Sequence, residues 1–403
     1  MTAPSNKILI INGGSSSIKF SLYSVEGTLK PVYSGKIERM NTATTSLSYT
    51  DAVSNERSGL SIDTSNNQDA SAFLVNWFEA QAGFGSITAI GHRLVHGMKH
   101  SQPEIITSEL LDELKAISMY DPDHLPEELK LIAIFRNRYP LLQQIACFDT
   151  SFHTSLPEVA RLLPIPRKFS EMGIRRYGFH GISYAYLMEE LEKIAGKEKA
   201  AGRILLAHLG SGASICIVDK GKCMDTSMGF TPTSGLVMGT RPGDMDPGVS
   251  WYLMHAASLT SQQYNTLINH ECGLLGISET SSDMRDLLDA QQTDHRAAEA
   301  VELFCYQTKK WIGSFATVTN GFDSLVFSGG IGENAPGIRS RICAGLGFLG
   351  IELDEEKNKK NEAVISRDSS RVCVRVIHTN ESLMIARDVC KVLNYSINNQ
   401  QNV

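Results

Sequence analysis

Residues 7–37, KILIINGGSSSIKFSLYSVEGTLKPVYSGKI, contain the pattern from which the fold can be predicted. The segment begins with a β-branched apolar run and then turns at Asn12 and Gly13. Apolar and polar residues alternate from Ile18 to Leu22, and such a period of two is typical of a strand with one buried face. The segment therefore predicts a strand, a glycine-serine turn and two further strands.

The same pattern returns in residues 202–230, GRILLAHLGSGASICIVDKGKCMDTSMGF. An offset of 197 residues places Ile8 on Leu205 and Gly13 on Gly210. A repeated strand–turn–strand unit indicates a duplicated structural element. We therefore expect an α/β protein with two domains of related topology and a cleft between them.

The segments around these repeats carry helix and strand patterns. Apolar spacing, early acidic residues and late basic residues predict helices in 71–83, 108–117, 126–140, 280–318 and 381–395. Short apolar runs predict strands in 86–90, 143–148, 323–328 and 371–377. The predicted domains are residues 1–150, completed by a C-terminal helix in 384–403, and residues 151–383. The final residues, 396–403, are polar and are expected to be disordered.

The composition excludes several classes of protein. A chain of 403 residues with 42% apolar and 20% charged residues is typical of a globular protein with more than one core. A net charge of −6 argues against nucleic acid or an anionic membrane as the main partner. The eight cysteines are scattered and form no C-x-x-C pair, so we expect neither a disulfide framework nor a zinc site, and a cytoplasmic location. No leader or membrane-spanning segment is expected.

Three glycine-rich turns follow short apolar strands: NGGSSS (12–17), HLGSG (208–212) and GGIGEN (329–334). Phosphate groups need backbone N–H donors that can approach closely, and glycine allows that approach. Each turn alone is also compatible with an ordinary tight turn, but three in a duplicated frame favour phosphate binding. The G-x-G-x-x-G stretch in 345–350 follows a helical pattern rather than a strand, so we interpret it as a helix end and a turn.

Five charged residues lie among glycines or at predicted strand ends: Arg93, Asp149, His180, Arg241 and Glu381. Phosphoryl transfer depends on positioning and on cations that stabilise charge on the phosphoryl oxygens, which suits the arginines and the histidine. The carboxylates suit Mg²⁺. From the residues alone, structural ion pairs, a buried structural imidazole and helix-capping acids remain open alternatives.

Nine motifs follow one another along the chain: INGGSSSIKF, GHRLVHG, FDTSFH, GIRRYGFHG, HLGSGAS, DTSMGFTPTSGLVMGTRPGD, SSDMRD, FSGGIGEN and TNESLMIARD. In this order they resemble the motifs of the acetate kinase family. The resemblance runs from residue 7 to about residue 390, so it covers nearly the whole chain.

The resemblance implies two duplicated actin-like (ribonuclease H-like) domains with a nucleotide cleft between them. It implies reversible transfer of the ATP γ-phosphoryl group to acetate, which gives acetyl phosphate and ADP. Mg²⁺ or Mn²⁺ would be the metal, and a small carboxylate and an adenine nucleotide would be the partners. A homodimer is also implied, without nucleic acid or membrane.

The resemblance also assigns roles to residues that match the family motifs. Arg93, His180, Arg241 and Asp149 would be catalytic, and Asn12 and Glu381 would be associated with the metal. The substrate would contact Arg93 and an apolar wall of Val95, Met119, Phe179 and Pro232. The nucleotide would contact Lys19, His208, Leu209, Gly210, Ser211, Gly212, Asp283, Met284, Arg285, Gly330, Ile331, Gly332, Glu333 and Asn334.

The chain departs from the family pattern at Gly13, Ser211, Tyr184 and Tyr120. The last lies near the expected acyl pocket, where one methylene is worth only about 1–3 kcal/mol. Propionate or butyrate therefore remains an alternative substrate. A non-catalytic ATP-binding module is a further alternative, but it would not need the acyl-side residues. A sugar kinase is disfavoured because its hydroxyl acceptor would need a base and polar contacts.

Overall fold

The computed structural model describes residues 6–14, 17–40, 44–52, 54–62, 70–81 and 84–397. Ser15 and Ser16 of the first glycine turn, and residues 398–403 of the predicted disordered tail, lie outside the described residues.

The strands include both segments that carry the repeated pattern. They are β1 (Asn6–Gly13), β2 (Ser17–Val25), β3 (Leu29–Glu38), β4 (Ser46–Asp51), β5 (Arg57–Ser61), β6 (Ile87–Leu94), β7 (Glu104–Ile105), β8 (Gln143–Phe148), β9 (Arg203–Leu209), β10 (Ala213–Asp219), β11 (Lys222–Thr226), β12 (Ser324–Ser328) and β13 (Cys373–Val376).

The helices vary from single turns to one of 24 residues, α12. They are α1 (Ala70–Glu79), α2 (Ser108–Ala116), α3 (Leu125–Arg138), α4 (Glu158–Arg161), α5 (Arg167–Glu171), α6 (Gly181–Ala195), α7 (Lys197–Ala200), α8 (Pro247–Ala256), α9 (Ser261–His270), α10 (Gly273–Ser278), α11 (Met284–Ala290), α12 (His295–Val318), α13 (Gly329–Asn334), α14 (Pro336–Cys343), α15 (Glu355–Lys359) and α16 (Glu381–Val392). Short 3₁₀ turns cover Phe84–Ser86, Ser118–Tyr120, Ser151–Ser155 and Gly347–Leu349.

Contacts within the chain divide it into two compact units. The first unit is Met1–Ser151 together with Asn380–Val403, and the second unit is Phe152–Thr379. The C-terminal helix α16 belongs to the first unit and packs on β1 and β6. It ends at Val392 rather than continuing to residue 403, because Asn394 has a left-handed backbone (φ 55°) and Tyr395 N–H closes on Cys390.

The first unit is built on a mixed sheet in the order β5-β4-β3-β2-β1-β6-β8-β7. Strands β1, β6 and β8 run parallel, while β1 to β5 form an antiparallel meander. Gly91 in β6 lets α16 approach closely, since a Cβ there would lie 2.6 Å from Ile385 and 2.8 Å from Val389. The parallel strands bring their C-terminal ends to one edge of the sheet, where Arg93 pairs in register with Asn12 and Cys147.

The second unit is built on a sheet in the order β11-β10-β9-β12-β13. Strand for strand, this repeats the order β3-β2-β1-β6-β8, with the same antiparallel and parallel directions. β9 begins at Arg203, 197 residues after Asn6, where β1 begins. The predicted duplication is therefore confirmed by the topology of the two sheets.

Local sequence signals account for many of the element boundaries. The side chains of Thr107, Asp283 and Asp294 accept backbone N–H groups at the starts of α2, α11 and α12. The predicted helix in 280–318 is divided into α11 and α12. The G-x-G-x-x-G stretch follows the end of α14 and contains a 3₁₀ turn, as predicted. Among the described residues, no helix is both long and apolar enough to cross a membrane.

Candidate active site

Arg93 lies at the centre of a carboxylate cluster in the first unit. Its Nη2 and Nε donate to Asp149 Oδ2 at 2.7 and 3.2 Å, and its Nη1 donates to Glu128 Oε1 at 2.8 Å. The side chains of Asp149 and Glu128 are almost completely buried. Two carboxylates therefore fix the guanidinium, and these contacts leave two of its five N–H bonds unused.

Glu128 extends from α3 into this cluster. Its second oxygen accepts the backbone N–H of Val95 at 2.9 Å, so the carboxylate connects β6 to the helix. Burial raises the pKa of Glu128 to about 7, although the charge of Arg93 and the Val95 hydrogen bond act in the opposite direction. Burial also opposes the charge on Arg93, but Asp149 and Glu128 outweigh it and raise the pKa of Arg93, which stays charged.

Glu381, at the first position of α16, completes the cluster with Asn12. Asn12 Nδ2 donates to Glu381 Oε2 at 3.4 Å. Burial and then the negative charge of Asp149 raise the pKa of Glu381, against the positive charges of Arg93 and Lys19. Asp149 Oδ1 is buried with no hydrogen-bond partner.

The carboxylate cluster around Arg93 has the properties of a site for a divalent cation. A buried carboxylate oxygen without a donor is costly unless a cation or a water satisfies it. The cluster has three carboxylates when Asp149, Glu381 and Glu128 are ionised. The positive charges of Arg93 and Lys19 balance two of them, so one negative charge is left for a cation to balance. Mg²⁺ takes one or two protein carboxylates together with waters and phosphate oxygens, so the residues fit this ion.

His180 occupies the residue before α6, in the second unit. Its backbone is left-handed (φ 57°), a conformation that costs energy for a non-glycine residue and is common at functional sites. Its Nδ1 lies 2.8 Å from Ser214 Oγ, which in turn lies 2.5 Å from Tyr184 Oη. The ring of His180 stacks on His208, with centroids 4.3 Å apart.

Arg241 lies in the loop between β11 and α8. Its Nη1 donates to the carbonyl of Pro232 at 2.7 Å. The neighbouring carboxylates serve the backbone: Asp244 accepts the N–H of Gly235, and Asp246 accepts the N–H of Gly248. These bonds support the loop that carries Arg241.

The second glycine turn brings His180 and Arg241 together. A Cβ built at Gly212 would lie 3.2 Å from His180 Nε2 and 3.5 Å from Arg241 Nη2. Gly273 supports the Arg241 loop from the other side, because it has φ +64° and a Cβ there would lie 2.2 Å from Met238 O. Only glycine fits this position without displacing the loop.

The predicted nucleotide residues of the second unit lie on turns that are close to one another. A Cβ at Gly210 would lie 3.8 Å from the backbone N of Gly330, and one at Gly239 would lie within 3.3 Å of both Ser282 O and Ser211 Oγ. These distances connect the turns at 208–212, 282–285 and 329–334. Three of these residues are exposed: Ser211, Gly330 and Asn334. Three others are buried, so at most their backbone groups could contact a nucleotide: Leu209, Met284 and Gly332.

Three charged residues near these turns have structural partners. Asp283 caps α11 and is paired with Arg285, whose hydrogen bond lowers the pKa of the aspartate. Glu333 accepts the backbone N–H groups of Gly329 and Thr379 at 2.9 and 3.0 Å, so it organises the start of α13. Ile331 is partly buried in the same helix.

The four residues predicted for the apolar wall have different environments. Val95 and Phe179 are buried, and Pro232 is partly buried beside Arg241. The side chain of Met119 is exposed in the 3₁₀ turn Ser118–Tyr120. Val95 and Met119 belong to the first unit, and Phe179 and Pro232 to the second.

Sequence reasoning missed Glu128, Ser214 and Gly273. The sequence places Glu128 among the early acidic residues of a predicted helix, and Ser214 in the second copy of the repeated strand–turn–strand segment. Both patterns are correct for α3 and β10, but the burial of a carboxylate or a hydroxyl at those positions has no local signal.

The two sheets of matching strand order define a protein of the duplicated actin-like fold. The model of the Acetokinase family matches residues 7–387. Acetate kinase of Rhodopseudomonas palustris is 41% identical over 396 residues, which cover 96% of this chain and 98% of that protein. The chain belongs to the acetokinase family.

Solved structures agree with this assignment and confirm the predicted fold. The structure of Porphyromonas gingivalis acetate kinase matches with a TM-score of 0.85 and 35% identity, over 96% of this chain and 100% of that one. The structure of a propionate kinase from Francisella tularensis matches with a TM-score of 0.88 and 35% identity, over 95% of this chain and 98% of that one.

Proposed function

We propose that the protein catalyses the reversible transfer of the ATP γ-phosphoryl group to acetate, with formation of acetyl phosphate and ADP, and that its two units act as two domains of this enzyme. The observation that carries the proposal is the placement of His180 Nε2 and Arg241 Nη2 against the same glycine, Gly212. Two such groups at a phosphate-suited turn can stabilise the charge that spreads over the transferred phosphoryl group.

The hydrogen bonds of His180 define which nitrogen faces the phosphoryl group. Burial raises the pKa of Tyr184 well above its usual value, so the phenol stays protonated and can donate to Ser214 Oγ. The Ser214 hydroxyl then donates to His180 Nδ1, which leaves the imidazole proton on Nε2. In this arrangement His180 acts as a neutral hydrogen-bond donor, and Tyr184 and Ser214 are positioning residues.

Arg93 is proposed to bind the substrate carboxylate through the N–H bonds that Asp149 and Glu128 do not use. An acetate oxygen is already a nucleophile, so the reaction needs no general base. Asp149 is held in an ion pair with Arg93, and this favours a role in orienting the arginine and a cation over a role in proton transfer.

Asn12, Asp149 and Glu381 are the residues that would hold Mg²⁺ or Mn²⁺. When bound, the ion would supply positive charge to the phosphate oxygens. The expected effect of Glu381→Gln is a higher Mg²⁺ concentration for half-maximal rate, because one carboxylate is lost. Lys360→Gln, on an exposed lysine of the second unit, is a matched control. An unchanged Mg²⁺ dependence in Glu381→Gln would contradict the assignment.

The nucleotide is proposed to bind along the turns at 208–212, 282–285 and 329–334 of the second unit, and the role of Lys19 as a nucleotide residue stays a prediction. Ser211 is exposed on the first of these turns and can contact the nucleotide directly. Phosphate oxygens would accept backbone N–H groups at the glycines.

A homodimer is the assembly that we propose. No residue of helices α8 and α9 is fully buried, and Trp251 and Tyr252 on α8 are 64% and 63% exposed. Such exposed aromatic residues are typical of an interface with a second copy. Light scattering after gel filtration should give the mass of a dimer, and Trp251→Glu with Tyr252→Glu should give a monomer. A monomeric native protein would contradict the proposal.

Propionate is the second candidate substrate, and the match to the F. tularensis propionate kinase structure favours it. Purified protein with ATP and Mg²⁺ should be assayed with acetate, propionate and butyrate, and the acyl phosphate trapped with hydroxylamine. The highest kcat/KM for acetate supports the main proposal, and a preference for a longer acid assigns the neighbouring activity. The absence of trapped product with every acid, despite ATP binding, would favour a non-catalytic nucleotide-binding module.

A further inference from the structure

A buried cluster of two thiols and an imidazole lies in the second unit, outside the residues assigned to catalysis. Cys216 is on β10 and Cys223 is on the neighbouring strand β11. Their sulfur atoms lie 3.2 Å apart, and His153 Nδ1 lies 3.2 Å from Cys223 Sγ. These three donor atoms all lie within 4.8 Å of one another, and the three side chains are buried.

The orientation of His153 directs a lone pair at the thiols. Its Nε2 lies 2.9 Å from the carbonyl of Phe179, which can only accept, so Nε2 carries the proton. Nδ1 is therefore unprotonated in the neutral ring and faces Cys223. A metal-binding histidine is oriented in the same way, with its second nitrogen donating to a carbonyl or a carboxylate.

The cluster supplies two kinds of donor atom. The Sγ atoms of Cys216 and Cys223 are in contact, and Cys223 can donate its S–H to the lone pair of His153 Nδ1. Two sulfur atoms and one imidazole nitrogen thus converge on one buried position. Thiolate and imidazole are the ligands that Zn²⁺ prefers.

We propose that His153, Cys216 and Cys223 form a binding site for one Zn²⁺ ion. On binding, both cysteines would be thiolates, and each thiol that ionises releases its proton. The two thiolates would balance the charge of the ion, so a neutral complex would occupy a buried position, which avoids the cost of an unpaired buried charge. The three side chains leave a fourth position for a water or another small ligand.

The distances require only a small adjustment. Tetrahedral Zn²⁺ with bonds of about 2.3 Å to sulfur and about 2.0 Å to nitrogen separates its ligand atoms by about 3.5–3.8 Å. The Sγ–Sγ distance of 3.2 Å would therefore lengthen by about 0.6 Å, and the Nδ1–Sγ distance of 3.2 Å by about 0.3 Å. A disulfide would instead require the sulfur atoms to approach to about 2.05 Å and would need an external oxidant.

The position of β11 gives the ion a way to enter. This strand is at the edge of the sheet, next to a turn at Gly221 where a Cβ would meet nothing within 4 Å. Edge strands open locally at a lower free energy than central ones. The site is independent of the proposed function, since none of its three side chains is assigned to substrate or nucleotide.

Titration with Co²⁺ tests the proposal directly on the full chain. The protein is first reduced, freed of metal with a chelator and returned to buffer, and its thiols are counted with a chromogenic reagent. We expect a thiolate-to-cobalt charge-transfer band that saturates at one equivalent per chain and disappears when Zn²⁺ is added. Elemental analysis of protein that was expressed with added Zn²⁺ should find the same stoichiometry.

Variants locate the site. Cys216→Ala with Cys223→Ala should abolish the band, whereas Cys305→Ala, which removes a buried thiol of α12 in the same unit, should keep it. If the double variant does not fold, Cys223→Ser replaces it, because a hydroxyl can keep the hydrogen bond to His153 without supplying a thiolate. Loss of the band in the folded serine variant supports the proposal equally.

Three results would overturn the inference. The first is no charge-transfer band in folded native protein whose thiols are shown to be reduced. The second is a band that survives in the Cys216 and Cys223 variants. The third is a native mass two hydrogens below that of the reduced chain, with a peptide that joins Cys216 to Cys223, which would identify a disulfide as the native state of the cluster.

Discussion

Replacement of Ser214 by alanine should remove the hydrogen bond that orients His180 while leaving every charged residue in place. Ser214 Oγ is the atom that connects Tyr184 Oη, at 2.5 Å, to His180 Nδ1, at 2.8 Å. Its side chain is completely buried. The alanine methyl group fits the same space, so the variant tests the hydrogen bonds rather than the packing.

The expected magnitudes follow from the two groups that lose their partner. A buried polar group left without a hydrogen bond costs about 1–3 kcal/mol, so the loss of a partner by both Tyr184 and His180 should lower the free energy of unfolding by about 2–6 kcal/mol. Without Ser214, His180 is no longer held with its proton on Nε2. Loss of one transition-state donor lowers kcat by about 10²–10³-fold, and we expect a fall near the lower end of this range.

Steady-state kinetics with trapped acyl phosphate, together with thermal unfolding, provide the assay. Tyr184→Phe is the graded control, because it removes one hydrogen bond but keeps the one from Ser214 to His180. One neutral hydrogen bond is worth about 0.5–1.5 kcal/mol, so kcat should fall by only about 2- to 10-fold in this variant. A Ser214→Ala enzyme with kcat within about twofold of native, or an equal loss in both variants, would refute the reasoning.

Three further outcomes are expected. Arg241→Ala should lower the turnover rate by about 10³–10⁵-fold, or about 4–7 kcal/mol, with an unchanged circular dichroism spectrum, and near-normal activity would exclude Arg241 from catalysis. Gly273→Ala should lower the midpoint of thermal unfolding and kcat together, because its Cβ would lie 2.2 Å from a backbone oxygen of the Arg241 loop; full stability would show that the loop can move away. Burial raises the pKa of Glu128 from 4.5 to about 7, so between these pH values the folded protein binds more protons than the unfolded chain. The contribution of Glu128 to stability is therefore complete below about pH 4.5 and is lost as the pH rises through about 7. The unfolding midpoint of native protein, measured relative to that of Glu128→Gln by differential scanning calorimetry, should therefore decrease as the pH is raised from 5 to 8. A difference between the two midpoints that does not change with pH would contradict the shift in the pKa of Glu128.

Much of the fold could be predicted from the sequence because its signals are local. The alternation around Ile18 and the run at Leu205 determine strands through side chains a few residues apart. The duplicated pattern predicted two domains of related topology, and the matching order of the two sheets confirms the duplication. Asp283 caps α11 as expected from its position before a helical pattern. The family resemblance was confirmed by the match over residues 7–387, and the residue roles taken from it stay predictions.

Tyr184, one of the departures from the family pattern, has a role that its local sequence does not indicate. The sequence marked Tyr184 as unusual but gave no partner for it. The structure places its hydroxyl group on Ser214, 30 residues away in the chain, and through that residue on His180. Tyr184, which departs from the family pattern, is therefore part of the hydrogen-bonded support for the candidate catalytic residue His180.

The sequence by itself determined the duplication, the family, the glycine turns and the approximate positions of several strands and helices. Only the tertiary structure decided that Glu128 contacts Arg93, that Gly273 supports the Arg241 loop, and that His153 faces two cysteines. The sequence separation between Arg93 and Glu128 is 35 residues, and between His153 and Cys223 it is 70. Secondary structure depends on neighbours along the chain, whereas these pairs depend on strand register and on packing between elements, which no local pattern records.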